Sequence, residues 1–99
     1  MTAALGLSAT TACAAGWSLE QLGAMDGAAE LLHAEETCGM RLDAKALNLW
    51  LESKNVLSPD ALSRINFNLD TLKRSNKTLT ENQCALAKAS AKSIGALVE

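Results

Sequence analysis

Four short segments of the chain share a pattern that is typical of the start of a helix. In each segment an apolar residue precedes a capping residue, and a second apolar residue follows four positions into the expected helix, which is the arrangement of a hydrophobic staple. The capping residues are Ser18, Asp43, Ser58 and Thr80. Since each signal is followed by an apolar run with helical spacing, the sequence predicts four helices. We expect them to span residues 18–38, 43–54, 58–74 and 80–97.

Other residues at the expected helix ends agree with these four starts. Gln21 and Gln83 each follow a capping residue by three positions, which completes a capping box. Pro59 falls at the first position of a helix, where its missing N–H is not needed. Gly39 and Asn55 can adopt the left-handed conformation that ends many helices. The connections are therefore short, as in a bundle of antiparallel neighbours.

The composition favours an all-α fold. Alanine and leucine, which favour helix, are abundant, and β-branched residues are few. Ninety-nine residues make at most one domain, which we place at residues 15–99. No apolar stretch approaches the length of a transmembrane span, which is about 20 residues. The expected fold is all-α, a small irregular four-helix bundle with one disulfide.

The first expected helix has apolar residues on two sides, which is typical of a helix at the centre of a bundle. Gly23 and Gly27 lie in this helix and are expected to let neighbouring helices approach closely. One apolar stripe consists of Leu22, Met25, Ala29 and Leu32, and the other of Ala24, Ala28, Leu31 and Cys38. The other three helices each have one predicted core face. The face of the second helix carries Leu47, Trp50 and Leu51. That of the third carries Leu62, Ile65, Leu69 and Leu72, and that of the fourth carries Leu86, Ile94 and Leu97.

The first charged residue of the chain is Glu20, and the residues before it resemble the end of a secretory signal. The segment contains Ala12-Cys13-Ala14, which matches a small-x-small cleavage site. We therefore expect residues 1–14 to be signal-like and the rest to be periplasmic or secreted. The alternative is a disordered, alanine-rich N-terminus on a cytosolic protein. We do not expect a lipid anchor at Cys13, because the aliphatic residue of a lipoprotein signal is absent at Thr10.

Cys38 and Cys84, the two cysteines of the expected domain, are predicted to form a disulfide. Export would bring them to an oxidising compartment, where such bonds form and persist. The bond would close a loop of about 46 residues and add about 4 kcal/mol of stability by chain entropy. The alternative is two free buried thiols in a cytosolic core. In size and architecture the chain is similar to small periplasmic helical proteins with one disulfide, such as acid-stress chaperones, a similarity of fold without a shared motif.

Charge is divided unevenly along the chain, although the net charge is only −2. Five acidic residues and no basic residue lie between Glu20 and Glu36, whereas nine basic and six acidic residues follow from Arg41 onward. The simplest explanation is that an acidic first helix packs against a basic remainder. So small a net charge gives no reason to expect binding to nucleic acid or to an anionic membrane.

No arrangement of residues predicts catalysis or a metal site. His33 is the only histidine of the chain. With Glu30 it has the Glu-x-x-His spacing of a di-iron bundle, but such a site needs two of these pairs and further glutamates. We interpret His33 as a histidine at the edge of the apolar stripe. The expected protein has no enzymatic activity, no cofactor and no bound metal.

Phe67 and Leu49 carry the prediction of function, because both project away from the predicted core faces of their helices. Exposed aromatic and aliphatic side chains are typical of surfaces that bind another protein. The alternative is that they are ordinary single exposed residues. We predict a small exported, non-enzymatic protein that binds an unidentified protein partner, as a chaperone, an inhibitor or an accessory subunit.

Two further functions are left open by the sequence. The first is a small carrier of lipid or another hydrophobic ligand, although few aromatic residues and many alanines favour tight packing over a cavity. The second is a cytosolic regulatory helical domain with free thiols. Titration of thiols in protein purified without reductant distinguishes the second function from the others.

Overall fold

Four helices and two short strands make up the described part of the chain, which is residues 16–75 and 78–98 of the computed structural model. The helices are α1 (Leu19–Thr37), α2 (Ala44–Ser53), α3 (Pro59–Arg74) and α4 (Glu81–Ser93). The strands are β1 (Arg41–Leu42), between α1 and α2, and β2 (Leu97–Val98), after α4. The prediction of a small all-α fold is confirmed. The signal-like segment 1–14, with Cys13, lies outside the described residues.

Hydrogen bonds at the caps confirm the four predicted helix starts. At α1 the Ser18 hydroxyl accepts a hydrogen bond from the Gln21 amide, and the Gln21 side chain accepts one from the Ser18 amide. A second capping box forms at the start of α4. Asp43 and Ser58 cap α2 and α3 with their side-chain oxygens. These bonds satisfy backbone N–H groups that the first turn of a helix leaves without partners.

Helix α1 lies at the centre of the bundle, as predicted, and contacts the other three helices. On one side it joins α2 and α3 in the main core, which includes the fully buried Met25 and Val56. On another side Leu31 and Ala34 form a smaller core with Ala91 of α4. The two apolar stripes of α1 are therefore both used in packing.

The close approach predicted at Gly23 and Gly27 is wrong. A Cβ atom added at either glycine would meet nothing within 4 Å beyond the helix's own backbone. Buried alanines line the packed sides of α1 instead, and they include Ala24, Ala28 and Ala29. Their small side chains let neighbouring helices pack against α1 without a glycine.

Four of the five acidic residues of α1 bind groups elsewhere in the fold, in agreement with internal packing as the explanation of the uneven charge. Lys54, at the end of α2, and two bases of α3 form ion pairs with α1. The pairs are Glu20–Lys54 at 2.9 Å, Asp26–Arg64 at 3.6 Å and Glu36–Lys73 at 3.1 Å. A fourth acid, Glu35, accepts a hydrogen bond from the Leu42 amide at 2.9 Å. The fifth acid, Glu30, is exposed.

Helix α4 is shorter than predicted, because Gly95 ends it. The helix stops at Ser93, and Gly95 follows with a φ of +77°. The Ala96 amide then donates a hydrogen bond to the Ala91 carbonyl at 2.9 Å, which is the long bond of a Schellman motif. Leu97 consequently lies in β2 and not on the helix.

Strand β2 returns along β1 to form an antiparallel two-stranded sheet, with Leu97 opposite Leu42. Beyond this pair the Asp43 amide donates a hydrogen bond to the Ala96 carbonyl at 2.7 Å. The residues after α4 are thereby tied to the connection between α1 and α2.

Two leucines that were predicted in the core are exposed. Leu62 of α3 is 40% exposed, and Leu86 of α4 is 68% exposed. Helix α3 buries Ala61 and Ile65, and α4 buries Ala91. Because these smaller or neighbouring residues face the core, the two leucines are turned away from it.

The predicted disulfide between Cys38 and Cys84 is present, with the two Cα atoms 5.6 Å apart. Cys38 caps the carboxyl end of α1, and Cys84 lies near the start of α4. The start of α4 is therefore held to α1 covalently. Its other end is held by the buried Ala91 and by the sheet that follows.

Candidate binding cleft and exposed apolar side chains

The two side chains predicted to bind a partner both lie on the surface. Phe67 of α3 is 71% exposed, and Leu49 of α2 is 57% exposed. Neither belongs to the buried clusters or to the residues packed against them. Leu51, two positions beyond Leu49, is only 3% exposed, so α2 turns one leucine inward and the other outward. Binding of a partner at these side chains remains a prediction.

The exposed face of α3 around Phe67 is polar. Ser63, Asp70 and Thr71 lie one turn away from Phe67 on the same side of the helix, and all three are exposed. The Thr71 hydroxyl donates a hydrogen bond to the Phe67 carbonyl at 3.0 Å, so it is already satisfied within the helix. The Phe67 ring is thus a single exposed apolar side chain with polar neighbours on this face of α3.

A cleft of about 510 Å³ lies between α1 and α4 and extends to α2 and to the end of α3. We call it the α1–α4 cleft. Six large apolar side chains line it: Leu31, Trp50, Leu72, Leu79, Leu86 and Ile94. Its volume lies within the range of sites that bind small molecules.

The α1–α4 cleft is apolar at its base, and its rim is polar apart from the exposed Leu86. Leu31 is buried, and Leu72, Leu79 and Ile94 are half-buried. The polar residues Glu30, Ser75, Gln83 and Ser90 also line the cleft, and all four are exposed. A ligand with an apolar body and one polar end would match this division.

Of the described residues that line the α1–α4 cleft, two are ionisable, Glu30 and His33. Glu30 forms no ion pair with any residue that the structure describes, in contrast to three other acids of α1. His33 is 5% exposed, so it is buried rather than at the edge of the core. The negative charge at the rim therefore comes from the Glu30 carboxylate.

Nothing in the described residues assembles into a metal centre. No group of three or more His, Cys, Asp or Glu side chains converges there closely enough to hold a metal ion. Among the same residues, no helix combines the length and hydropathy needed to cross a membrane.

A second, shallower groove lies beside the two-stranded sheet and is basic. Arg41 of β1 and Lys88 and Lys92 of α4 line it together with Leu97 and Val98. The bases of α4 thus line this groove and not the α1–α4 cleft. The two depressions on either side of α4 consequently differ in charge.

The α1–α4 cleft contradicts the prediction of tight packing that the many alanines suggested. Helix α4 contacts α1 through Ala91 near one end and through the disulfide of Cys84 near the other. Between these points Leu86 and Ala87 face the cleft. Residue types predict which side chains share a helix face, but not whether the neighbouring helix closes over that face.

Comparison with known proteins gives no relative for this chain: no family model matches it, and neither a curated protein nor a solved structure matches it.

Proposed function

We propose that this protein is a small, exported, non-enzymatic binding protein that contacts a protein partner through Phe67 and Leu49. The observation that carries the proposal is the 71% exposure of Phe67, an aromatic ring with no place in either core cluster. Burial of such a ring against a partner removes a large apolar area from water. A chaperone, an inhibitor or an accessory subunit would each use a surface of this kind.

The disulfide supports the exported location. Disulfides persist in the periplasm and outside the cell, whereas cytosolic thiols are kept reduced. Cys38 and Cys84 form a disulfide that closes a loop of 46 residues. The same bond argues against the alternative of a cytosolic domain with free thiols.

Partner binding is tested by replacing Phe67 and Leu49 with serine and using the protein to capture partners from the exported fraction of its own source. We expect the double variant to lose a partner that the unchanged protein retains. The matched control is Leu19→Ser, which alters a leucine that is 84% exposed on α1. Circular dichroism should show the same helix content for all three proteins, because neither Phe67 nor Leu49 contributes to the core. Retention of every partner by the double variant would contradict the proposal.

The location is tested by the intact mass of the protein recovered from its native source. An exported protein is expected to lack residues 1–14, with Cys13 removed among them and not retained as a lipidated first residue, and to show the mass loss of two hydrogen atoms for the disulfide. Full-length protein with both thiols reduced, recovered from the cytosol, would contradict the export proposal. That result would not bear on partner binding through Phe67 and Leu49, which the serine variants test separately.

A second candidate function is a carrier for a small hydrophobic ligand, and the α1–α4 cleft favours it. The cleft offers about 510 Å³ lined by six large apolar side chains, which is ample for one small molecule. An uncharged solvatochromic dye is expected to bind there and to shift its emission to the blue. Absence of any saturable shift would contradict the carrier function while leaving the protein-binding proposal intact.

A further inference from the structure

We infer that the α1–α4 cleft binds a single-chain amphiphile with a cationic head group, whose chain lies on the apolar base and whose head lies beside Glu30. The inference deepens the carrier function and rests on it. It assigns the chemical class of the ligand, which the volume of the cleft alone does not give.

The apolar base accounts for the chain of the ligand. Leu31 lies on α1, Leu72 on α3, Leu79 just before α4 and Ile94 at its C-cap, and all four are buried or half-buried. An aliphatic chain placed among them loses contact with water over most of its length, and each methylene adds to the affinity. A volume of about 510 Å³ suits a ligand of drug-like size, which is the size of one chain and not of a two-chain lipid.

The rim accounts for the charge of the head group. Glu30 is exposed there, and no described residue forms an ion pair with it. Among the residues that the structure describes, no lysine or arginine lines the α1–α4 cleft, whereas Lys88 and Lys92 line the separate groove on α4. An anionic head at the rim would be repelled by the Glu30 carboxylate, since the described rim offers no lysine or arginine and His33 is buried below it. A cationic head would be attracted to the same carboxylate.

The packing of α1 explains why this carboxylate is available. Glu20, Asp26 and Glu36 are paired with bases of α2 and α3, and Glu35 accepts a backbone hydrogen bond. Glu30 is the one acid of α1 for which the described residues provide no such contact, and it is also the one that lines the cleft. Its charge is thus available to a ligand at the rim of the cleft.

Trp50 provides the readout, because it lines the cleft. The chain has two tryptophans, so Trp17→Phe leaves Trp50 as the single fluorophore. This variant is titrated with decyltrimethylammonium, decanoate and 1-decanol, which share a chain length and differ in charge. The two ions are kept below the concentrations at which they form micelles, and the alcohol is kept below its solubility limit. We expect saturable fluorescence changes, with the cation bound about 5-fold more tightly than the alcohol and the carboxylate most weakly.

Three further variants in the Trp17→Phe background separate charge from volume. Glu30→Gln should remove the preference for the cation and leave the affinity for 1-decanol unchanged. Ala87→Leu fills space in the cleft and should weaken binding of all three probes. Ala85→Leu makes the same change at an exposed position of α4 that does not line the cleft, and should have no effect.

The outcomes distinguish the inference from the function on which it rests. If decanoate binds as tightly as the cation, or if Glu30→Gln leaves the preference unchanged, the cationic ligand class is overturned and the carrier function stands. If none of the three probes binds, both are overturned. Equal effects of Ala87→Leu and Ala85→Leu would show that the probes bind outside the cleft, which overturns the inference.

Discussion

The Nδ2 atom of Asn68 donates a hydrogen bond to Oδ1 of Asp26 at 2.6 Å, and this contact joins α3 to the central helix α1. The same carboxylate oxygen lies 3.6 Å from the Arg64 guanidinium. Because the side chain of Asp26 is half exposed, the ion pair is screened by solvent and contributes little. The short hydrogen bond to a charged acceptor is the stronger of the two contacts.

Replacement of Asp26 tests which of these contacts stabilises the interface. Asp26→Ala removes the acceptor, and we expect it to lower the free energy of unfolding by about 1.5 kcal/mol. Asp26→Asn keeps an oxygen for Asn68 while removing the charge opposite Arg64, so its effect should be less than half as large. Urea denaturation measures both values. Equal losses of unfolding free energy in Asp26→Ala and Asp26→Asn would show that the charge of Asp26, and not its hydrogen bond, stabilises this interface.

The disulfide is expected to supply a large part of the stability of the fold. Replacing Cys38 and Cys84 with serine should lower the free energy of unfolding by about 4 kcal/mol, because the unfolded chain is no longer constrained by the closed loop. The expected consequence is release of α4, since one of its two attachments is lost. Thermal and denaturant unfolding measure the change.

Reductant provides the control for this prediction. It should destabilise the unchanged protein by a similar amount and have no effect on the double serine variant. A wild-type protein whose unfolding midpoint is the same with and without reductant would contradict the prediction.

Gly23 and Gly39 form a matched pair, because a Cβ atom would meet nothing within 4 Å at either position. They differ in backbone conformation, since Gly39 has a φ of +69° and Gly23 lies within α1. We expect Gly23→Ala to raise the free energy of unfolding by up to about 1 kcal/mol through helix propensity and reduced chain entropy. We expect Gly39→Ala to lower it by about 1 kcal/mol, because a side chain is strained in the left-handed region. Shifts of the same sign in denaturant unfolding would contradict this account.

Leu49 and Leu51 form a second matched pair on α2. Leu51 is buried in the main core, so Leu51→Ala should lower the free energy of unfolding by about 3 kcal/mol. Leu49 is exposed, and Leu49→Ala should change the free energy of unfolding by no more than about 0.5 kcal/mol. Chemical denaturation of the two variants measures both values. A loss above about 1 kcal/mol at Leu49 would show that this side chain packs within the fold and is not available to a partner.

The helix starts were predictable because their signals are local. A cap such as Ser18 or Thr80 acts on amides within three residues, and those residues are adjacent in the sequence. The pairing of acids of α1 with later bases was also predictable, since opposite charges in separate segments need only compact packing to meet. The disulfide followed from the small number of cysteines that the expected domain contains.

The end of α4 was missed although a signal was present. Gly95 is a suitable residue for a left-handed helix end, and the apolar spacing of Ile94 and Leu97 suggested instead that the helix continued. A strand of two residues has no periodic pattern of its own, so β2 could be found only from its pairing with β1. A tertiary contact thus decided the conformation of Leu97.

The candidate cleft could not be predicted from residue types. Projection places Leu86 and Ala91 on defined sides of α4, but it does not state which side meets α1. In the structure the alanine is buried and the leucine lines an opening. The distance between two helices depends on contacts at their ends, which no local pattern of the sequence contains.

The sheet and the disulfide have a shared consequence for the order in which the molecule can be assembled. Both connect residues 38–43 to residues 84–98, so each waits for a segment that is synthesised late. The disulfide can form once Cys84 is present, but α4 gains its second attachment only when Leu97 and Val98 pair with β1. Closure of the fold by the disulfide and by the sheet therefore follows the synthesis of α1, α2 and α3, whose shared core consists mainly of their own residues.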